Sequence, residues 1–451
     1  MKLIWLHAAR GVRAERSLVK LSWTANLREF EYSRPGIDKI HISLEALQHL
    51  VRDAENALLR ALDRLLPSTF DSAAVDRLPW DTLHDDGTIP DSFIDAEDTW
   101  HQWLGPAVTA LKQAYLDSSE TRHHLTTDSE DGRPSHSAFS KLLALDTEFQ
   151  DVLVGVLVGS TGVSPRVATL RDYRFRADKK GARNLFMILD SVVLEGGKQK
   201  AESRRDGQRE LVIRALIPRT GICVVRYLAL VRLALIEIMV DNDWYSNVVG
   251  TYQTHLFARP ANKKDDPGSW RPSQITAAWH AISVPYLKSK TTIVDVRQYG
   301  TGIYEKHFPI LLGSPTQSTD ANAVDRQGDH HKDTRVNHYG RSDALCNGHS
   351  EPDTRDFIMA SRVWQSAMRA FPVDRSWPDC IISSLLLNSG QHEMLAQQVA
   401  RFHIAQELQL GRLQPQDVRT KVMSICQKLP FLFQQVCLCP ISDDCTTRSL
   451  F

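Results

Sequence analysis

Hydrophobic positions along the chain change from a helical to an alternating rhythm and back. Over 43–66, Leu44, Leu47, Leu50, Val51, Leu58, Leu62 and Leu65 keep to one broad helical face, and Pro67 follows the stop. That spacing predicts a long amphipathic helix. The stretch 106–116 predicts another, with Pro106 in the first turn, where its missing N–H leaves no gap. Residues 118–135 are polar and acidic and are interrupted by Gly and Pro, the composition of a loop. Helical periodicity returns over 139–158 and runs toward Gly159, so the first 145 or so residues suggest a mostly helical domain.

After Arg166 the pattern shortens. Residues 184–189 and 191–194 are apolar runs of strand length, Gly196-Gly197 and Asp206-Gly207 are turn signals, and 210–217 reads as a returning strand before Pro218. Helices are expected over 221–240, 273–288, 297–307, 355–371 and 381–411, the last broken near Ser389-Gly390, with a polar loop over 314–334. No repeat and no low-complexity tract interrupts this order. The fold class expected is mainly α with a small antiparallel β-sheet, α+β overall.

Length and composition narrow the picture only a little. A chain of 451 residues can bury one or two sizeable cores. Its 54 basic and 54 acidic residues balance, so net charge selects no partner. Distribution says more: between Arg166 and Arg214 basic residues outnumber acidic ones about two to one, whereas 81–98 is acidic. A local basic segment of this kind can meet phosphate or be a solvated face. The apolar run 227–240 is too short for a membrane span and carries Arg232 and Glu237, so no membrane partner is expected. The apolar run at Met1–Leu6 is too short for a secretory signal. Seven scattered cysteines suit a reducing compartment, and the C-x-C spacing at Cys437 and Cys439 fits no standard zinc pattern, so neither metal nor cofactor is expected.

The chemistry-bearing residues come in a fixed order. Arg166 lies in Ser160-Thr-Gly-Val-Ser-Pro-Arg-Val-Ala-Thr-Leu170, Lys198 and Lys200 follow in a hairpin-like pattern, and Arg297 lies in Val294-Asp-Val-Arg-Gln-Tyr299. His330 then precedes Tyr339 by nine positions in Asp329-His-His-Lys-Asp-Thr-Arg-Val-Asn-His-Tyr339. Taken singly, each has a bland reading as a surface arginine, a solvated turn lysine or a loop histidine. Together they are the groups that phosphodiester transfer without a metal requires. A tyrosine hydroxyl attacks and holds the strand covalently. Two arginines fork onto the non-bridging oxygens, a histidine moves the attacking proton, and a lysine protonates the departing 5′ oxygen.

On these motifs the chain resembles the tyrosine recombinase/integrase superfamily. It is most similar to the fungal recombinase-like domain of Crypton-type transposons and of proteins carrying RecQ-type helicases. The resemblance covers most of residues 40–370: Gly87–Phe93 on to Trp103 for the helical N-terminal part, Ser160–Leu170 for the first-arginine motif, and Gly197-Lys-Gln-Lys200 with Arg214–Pro218 for the lysine hairpin. Arg297, His330 and Tyr339 match the second arginine and the closing box, and Phe357–Phe371 the helix after it. The resemblance implies Arg166, Lys200, Arg297, His330 and Tyr339 as catalytic residues, with Lys198 the other candidate for the lysine. It also implies an N-terminal extension over 1–40, a helical core-binding-like domain over 41–145, a catalytic domain over 146–372 and a helical tail over 373–451. The partners implied are double-stranded DNA, a second copy on that DNA and a helicase. The location implied is nuclear, and the activity is recombination or integration of transposon origin. Three positions depart from the family pattern. Val294 stands where a histidine or lysine is usual, Asp329 where a glycine is, and Thr169 where a glutamate is. With no G-x-x-x-x-G-K-[ST] phosphate loop in the chain, three readings remain: a strand-transfer enzyme, a DNA-binding or protein-interaction module that no longer cuts, or a helicase-accessory domain whose motor has been lost or lies on another chain.

Overall fold

The computed structural model describes residues 20–368 apart from 26, 35–38, 72–91, 93, 95–103, 118–124, 126–133, 180, 189–190, 198–210, 262, 264, 309–343 and 346–348. Lys198, Lys200, His330, Tyr339, the loop 314–334, the Gly87–Phe93 segment apart from Ser92, and the helix 381–411 therefore lie outside the described residues.

Among the described residues the chain is mainly helical with small antiparallel sheets, as the hydrophobic pattern predicts. It opens with a meander of β1 (Lys20–Trp23), β2 (Glu29–Ser33) and β3 (Ile40–Ser43), paired in that order. Helix α1 (Leu44–Leu65) starts where the Ser43 hydroxyl accepts from the Ala46 N–H at 3.0 Å. Its apolar face is buried along its whole length. Helix α2 (Gly105–Asp117) is followed by α3 (His136–Ser160), whose last two turns, Leu153–Ser160, are buried all round. A helix buried on every side is a central helix, and α3 packs on α1 along one flank. Gly159 permits this approach, since a β-carbon there would lie 3.2 Å from Val51 Cγ2, and Gly155 does the same toward the later helix Pro272–Leu287, where a β-carbon would lie 2.4 Å from Ile282 Cδ1.

A short helix α4 (Val167–Arg171) leads to β4 (Leu185–Ile188), β5 (Ser191–Gly197) and β6 (Leu211–Ala215), an antiparallel sheet in sequence order. Strand alternation gives this sheet two apolar faces. Leu185, Val192 and Leu194 join the main core, while Phe186, Ile188, Val193 and Ile213 form a smaller cluster with Phe357 and Ile358. Pro218 then starts α5 (Pro218–Arg226), which passes through a π-helical turn at Tyr227–Arg232 into α6 (Leu233–Asp241). After these come α7 (Ser246–Thr254), α8 (Pro272–Leu287), α9 (Ile293–His307) and α10 (Glu351–Ala367). A two-residue pair, β7 (Ala344–Leu345) with β8 (His349–Ser350), precedes α10.

Two features differ from the expectation. The stretch expected as an N-terminal extension holds β1, β2 and the start of β3, and its Phe30 and Tyr32 are fully buried. The boundary expected at 145/146 falls inside α3, and one apolar core runs from Phe30 to Met368 across it.

Candidate functional site

The loop between α3 and α4 carries Arg166. Thr161 ends α3, its hydroxyl donating to the Leu157 carbonyl at 2.7 Å, and Gly162 turns the chain with φ +93°. Glycine takes that left-handed region without a Cβ clash. Arg166 is the residue before the first turn of α4, and its carbonyl accepts from Leu170 N–H at 2.9 Å. Its side chain is partly exposed.

Three elements close around this loop. From β6, Arg214 is only 4% exposed and donates Nε–H to the Val163 carbonyl at 3.0 Å. From β5, Gly196 lies against α4, since a β-carbon there would sit 2.8 Å from Thr169 Cγ2. From α9, Gly300 comes close enough that its β-carbon would lie 4.0 Å from the Gly162 carbonyl oxygen. Arg297, partly exposed, is one turn before Gly300 on α9. The structure thus brings the elements carrying Arg166 and Arg297 together. It also ends β5 at Gly197, against α4, with the connection 198–210 that contains Lys200 outside the described residues.

Helix α9 is fixed at both ends. Thr292 caps it, with Asp295 Oδ2 accepting in return from the Thr292 N–H at 2.7 Å. Asp295 is fully buried, accepts from the Tyr32 hydroxyl at 2.7 Å and from Arg34 Nη2 at 3.4 Å, and forms an ion pair with Arg34, whose Nε lies 2.7 Å away. Tyr304 donates to the Ala360 carbonyl at 2.8 Å near the other end. Burial pushes the Tyr304 phenol well above its ordinary pKa, with Arg214 opposing, so this tyrosine stays protonated. Val294, in the first turn, is 52% exposed and can transfer no proton.

A second polar cluster sits wholly inside the core. Asp146 of α3 accepts from the hydroxyls of Tyr227 and Tyr252 and from Gln150 Nε2, while Arg232 bonds the Tyr227 oxygen. The π-helical turn allows this: its wider winding sets residues five apart on one side, so Tyr227 and Arg232 converge. The Arg232 guanidinium also lies 4.6 Å from the Tyr252 ring centre. Burial raises the Asp146 carboxyl, with Arg232 and its hydrogen bonds opposing. Arg232 further donates to the carbonyls of His255 and Leu256, at 3.4 and 3.3 Å, and Gln150 accepts from Ala258 N–H at 2.8 Å. The network therefore anchors the backbone from 255 to 258. Sequence reasoning missed Asp146 and Arg214; for Arg214 the available signal was a lone charge in an apolar run, as at Arg232, whereas Asp146, followed by Glu148 and Asp151, gave none.

Among the described residues no group of His, Cys, Asp and Glu is arranged to hold a metal ion, and no helix is long and apolar enough to cross a membrane. Compared with protein families, characterised proteins and solved structures, the chain matches none.

Proposed function

We propose that this chain is a DNA-binding tyrosine-recombinase-like protein that cleaves and transfers strands through a phosphotyrosine formed by Tyr339. The observation that carries this reading is the convergence at the Thr161–Arg166 loop. The helix of Arg297 meets the loop at Gly162, and the strand that leads toward Lys200 presses on the helix that Arg166 begins. Two guanidinium groups based on such fixed elements can fork onto one phosphate, which is the preorganised charge that a metal-free phosphoryl transfer needs. In this reading Lys200 protonates the leaving 5′ oxygen, His330 takes the phenol proton, and duplex DNA, a second copy of the chain and a helicase are the partners, in the nucleus.

A second reading is favoured by Val294. Its exposed aliphatic side chain stands three residues before Arg297, and the chain is then a DNA-binding or protein-interaction module related to RecQ-helicase-associated domains that has lost cleavage. A duplex with a bridging phosphorothiolate at the scissile position separates the two, because its leaving group cannot religate. A covalent adduct on a denaturing gel that disappears in Tyr339→Phe, Arg166→Ala and Arg297→Ala supports transfer. Salt-sensitive binding with no adduct supports the module, and binding indifferent to salt between about 50 and 200 mM removes DNA as the ligand.

A further inference from the structure

The last carbonyls of an α-helix find no N–H within it. At the end of α3 they are met by side chains, several from distant parts of the chain. The Thr161 hydroxyl covers the Leu157 carbonyl at 2.7 Å. Trp364 of α10 donates its indole N–H to the Gly159 carbonyl at 2.8 Å. Ser361, three residues earlier on α10, donates to the Thr161 carbonyl at 3.3 Å. Arg214 of β6 donates Nε–H to the Val163 carbonyl at 3.0 Å. The alternate carbonyls of 159, 161 and 163, in the segment that delivers Arg166, are thus each held by a side chain of another element, and all three donor residues are buried. These donors are also tied together. The Ser361 hydroxyl accepts from the Ala215 N–H at 3.1 Å, next to Arg214, and Gln365 Nε2 donates to the Ala215 carbonyl at 2.8 Å.

Arg214 is the unexpected member of this set. It is the one charge in β6, whose other residues are Leu, Val, Ile and Ala. It pairs in register with Leu194, a residue of the main core. Burying a guanidinium carries a desolvation cost that a well-packed apolar side chain avoids, so packing alone favours a residue such as methionine there. What arginine adds is a planar donor of long reach, which can fix a carbonyl in direction as well as distance. Gly196 of β5 keeps the space open: a β-carbon there would lie 3.6 Å from Arg214 Nη1 and 2.8 Å from Thr169 Cγ2. The guanidinium therefore sits beside α4, the helix that Arg166 begins.

We infer that Arg214, acting with Ser361 and Trp364, is a positioning residue for Arg166. It fixes the backbone from which that arginine reaches a phosphate. The purpose of this support rests on the proposed clamp; the support itself does not. Hydrogen exchange of the full chain, read by mass spectrometry, tests the support, with the amides of α1 as internal reference. In Arg214→Met the amides of 161–171 should exchange at least about tenfold faster, the loss of one hydrogen bond from a charged donor, while those of α1 keep their rates. An equal rise in both regions, or a rise in neither, overturns the inference. If Arg214→Met does not fold, Ser361→Ala, which removes only a hydroxyl, is read in the same way against the same outcomes. Duplex DNA binding supplies a readout that a purely structural role would not produce. Arg214→Met should weaken binding about tenfold in the parent and less than about twofold in Arg166→Ala, because support for an absent side chain has no effect. The same loss in both backgrounds overturns the inference, as does full binding by Arg214→Met where Arg166→Ala is weakened. A parent that binds no duplex, or an Arg166→Ala variant that binds as well as the parent, overturns the clamp instead, and faster local exchange then leaves the hold of Arg214 on this segment standing.

Discussion

Substituting Glu55 by glutamine should make the protein more stable, by an amount that grows as pH rises from about 4.5 to about 7 and then levels off. Glu55 lies in α1, is 3% exposed, and its Oε1 has no hydrogen-bond partner among the described residues. Burial pushes its carboxyl from 4.5 up to about 7, with Arg219 and Thr220 pulling the other way. Between these two values the folded protein binds a proton that the unfolded chain has released, so stability falls as pH rises. A shift of about 2.5 units at about 1.4 kcal/mol each amounts to about 3 kcal/mol, fully present below pH 4.5 and lost as pH rises through about 7. Glutamine keeps the shape of the neutral acid and cannot ionise. Urea unfolding followed by circular dichroism at pH 5, 6, 7 and 8 should show the advantage of Glu55→Gln growing by about 2.5 kcal/mol across the series, most of it by pH 7. Asp151, raised to about 6 by burial and by Glu148, titrates in both proteins and cancels in the difference. The neighbouring thiol of Cys223, pushed up to about 12, stays protonated throughout. An advantage that is the same at every pH would refute the reasoning, because it would mean that Glu55 does not hold its proton in the folded state.

Other outcomes follow from single contacts. Asp146→Ala should cost about 3–5 kcal/mol in denaturant unfolding, because it leaves the Arg232 charge buried without its carboxylate; a loss under about 1 kcal/mol would show that the network is not stabilising. Gly196→Ala should cost about 1–3 kcal/mol through its clash with Thr169 Cγ2, and Thr169→Ser, which removes that methyl, should restore most of it in the double variant. Tyr32→Phe should cost about 1.5–3 kcal/mol, measured the same way, because Asp295 loses a buried donor. If the phosphate clamp is as proposed, Arg166→Ala and Arg297→Ala should each reduce the slope of log affinity against log salt for duplex DNA by about one, and an unchanged slope in either removes that residue from the contact.

Periodicity made most of the helical frame legible. The run Leu44 to Leu65 becomes α1 with Ser43 as its cap, and 139–158 becomes the body of α3, because a stripe of apolar residues is a local signal that burial enforces. The β4–β5–β6 sheet was legible for the same reason, bracketed by glycine and proline. The N-terminal meander was not. Its strands are four or five residues long and mix polar with aromatic positions, and they are held by α9, more than 250 residues away, through Tyr32 and Asp295. The π-helical turn at Tyr227–Arg232 was equally silent: an all-apolar helix with one arginine reads alike whether it winds regularly or widens for a turn, and the partner that decides, Asp146, comes from another helix. Of the candidate site, order along the chain was legible and the approach of its elements was not, since the loop before Arg166 and the helix of Arg297 meet at Gly162 and Gly300 rather than through any sequence motif.

The meander bears directly on that site. Helix α9 is pinned before Arg297 by Asp295, after it by Gly300 against Gly162 and Trp364, and near its end by Tyr304 and by Trp23, whose ring meets His307 edge-on at 5.0 Å. Arg297 lies between the first two pins, so its backbone is held by rigid packing on both sides, which a charge meant to meet a phosphate in fixed geometry requires. Two of the pins, Tyr32 with Arg34 at Asp295 and Trp23 at His307, come from residues before 41. A chain cut to begin at residue 41 would leave the buried Asp295 the Thr292 cap of its own helix but neither Tyr32 nor Arg34, and a buried carboxylate stripped of an arginine and a phenol is a large cost. The N-terminal strands thus belong to the support of α9 and of Arg297 on it, and if the chain binds duplex DNA as proposed, loss of that binding on their removal would report on the anchoring of α9 rather than on contacts that the strands themselves make with DNA.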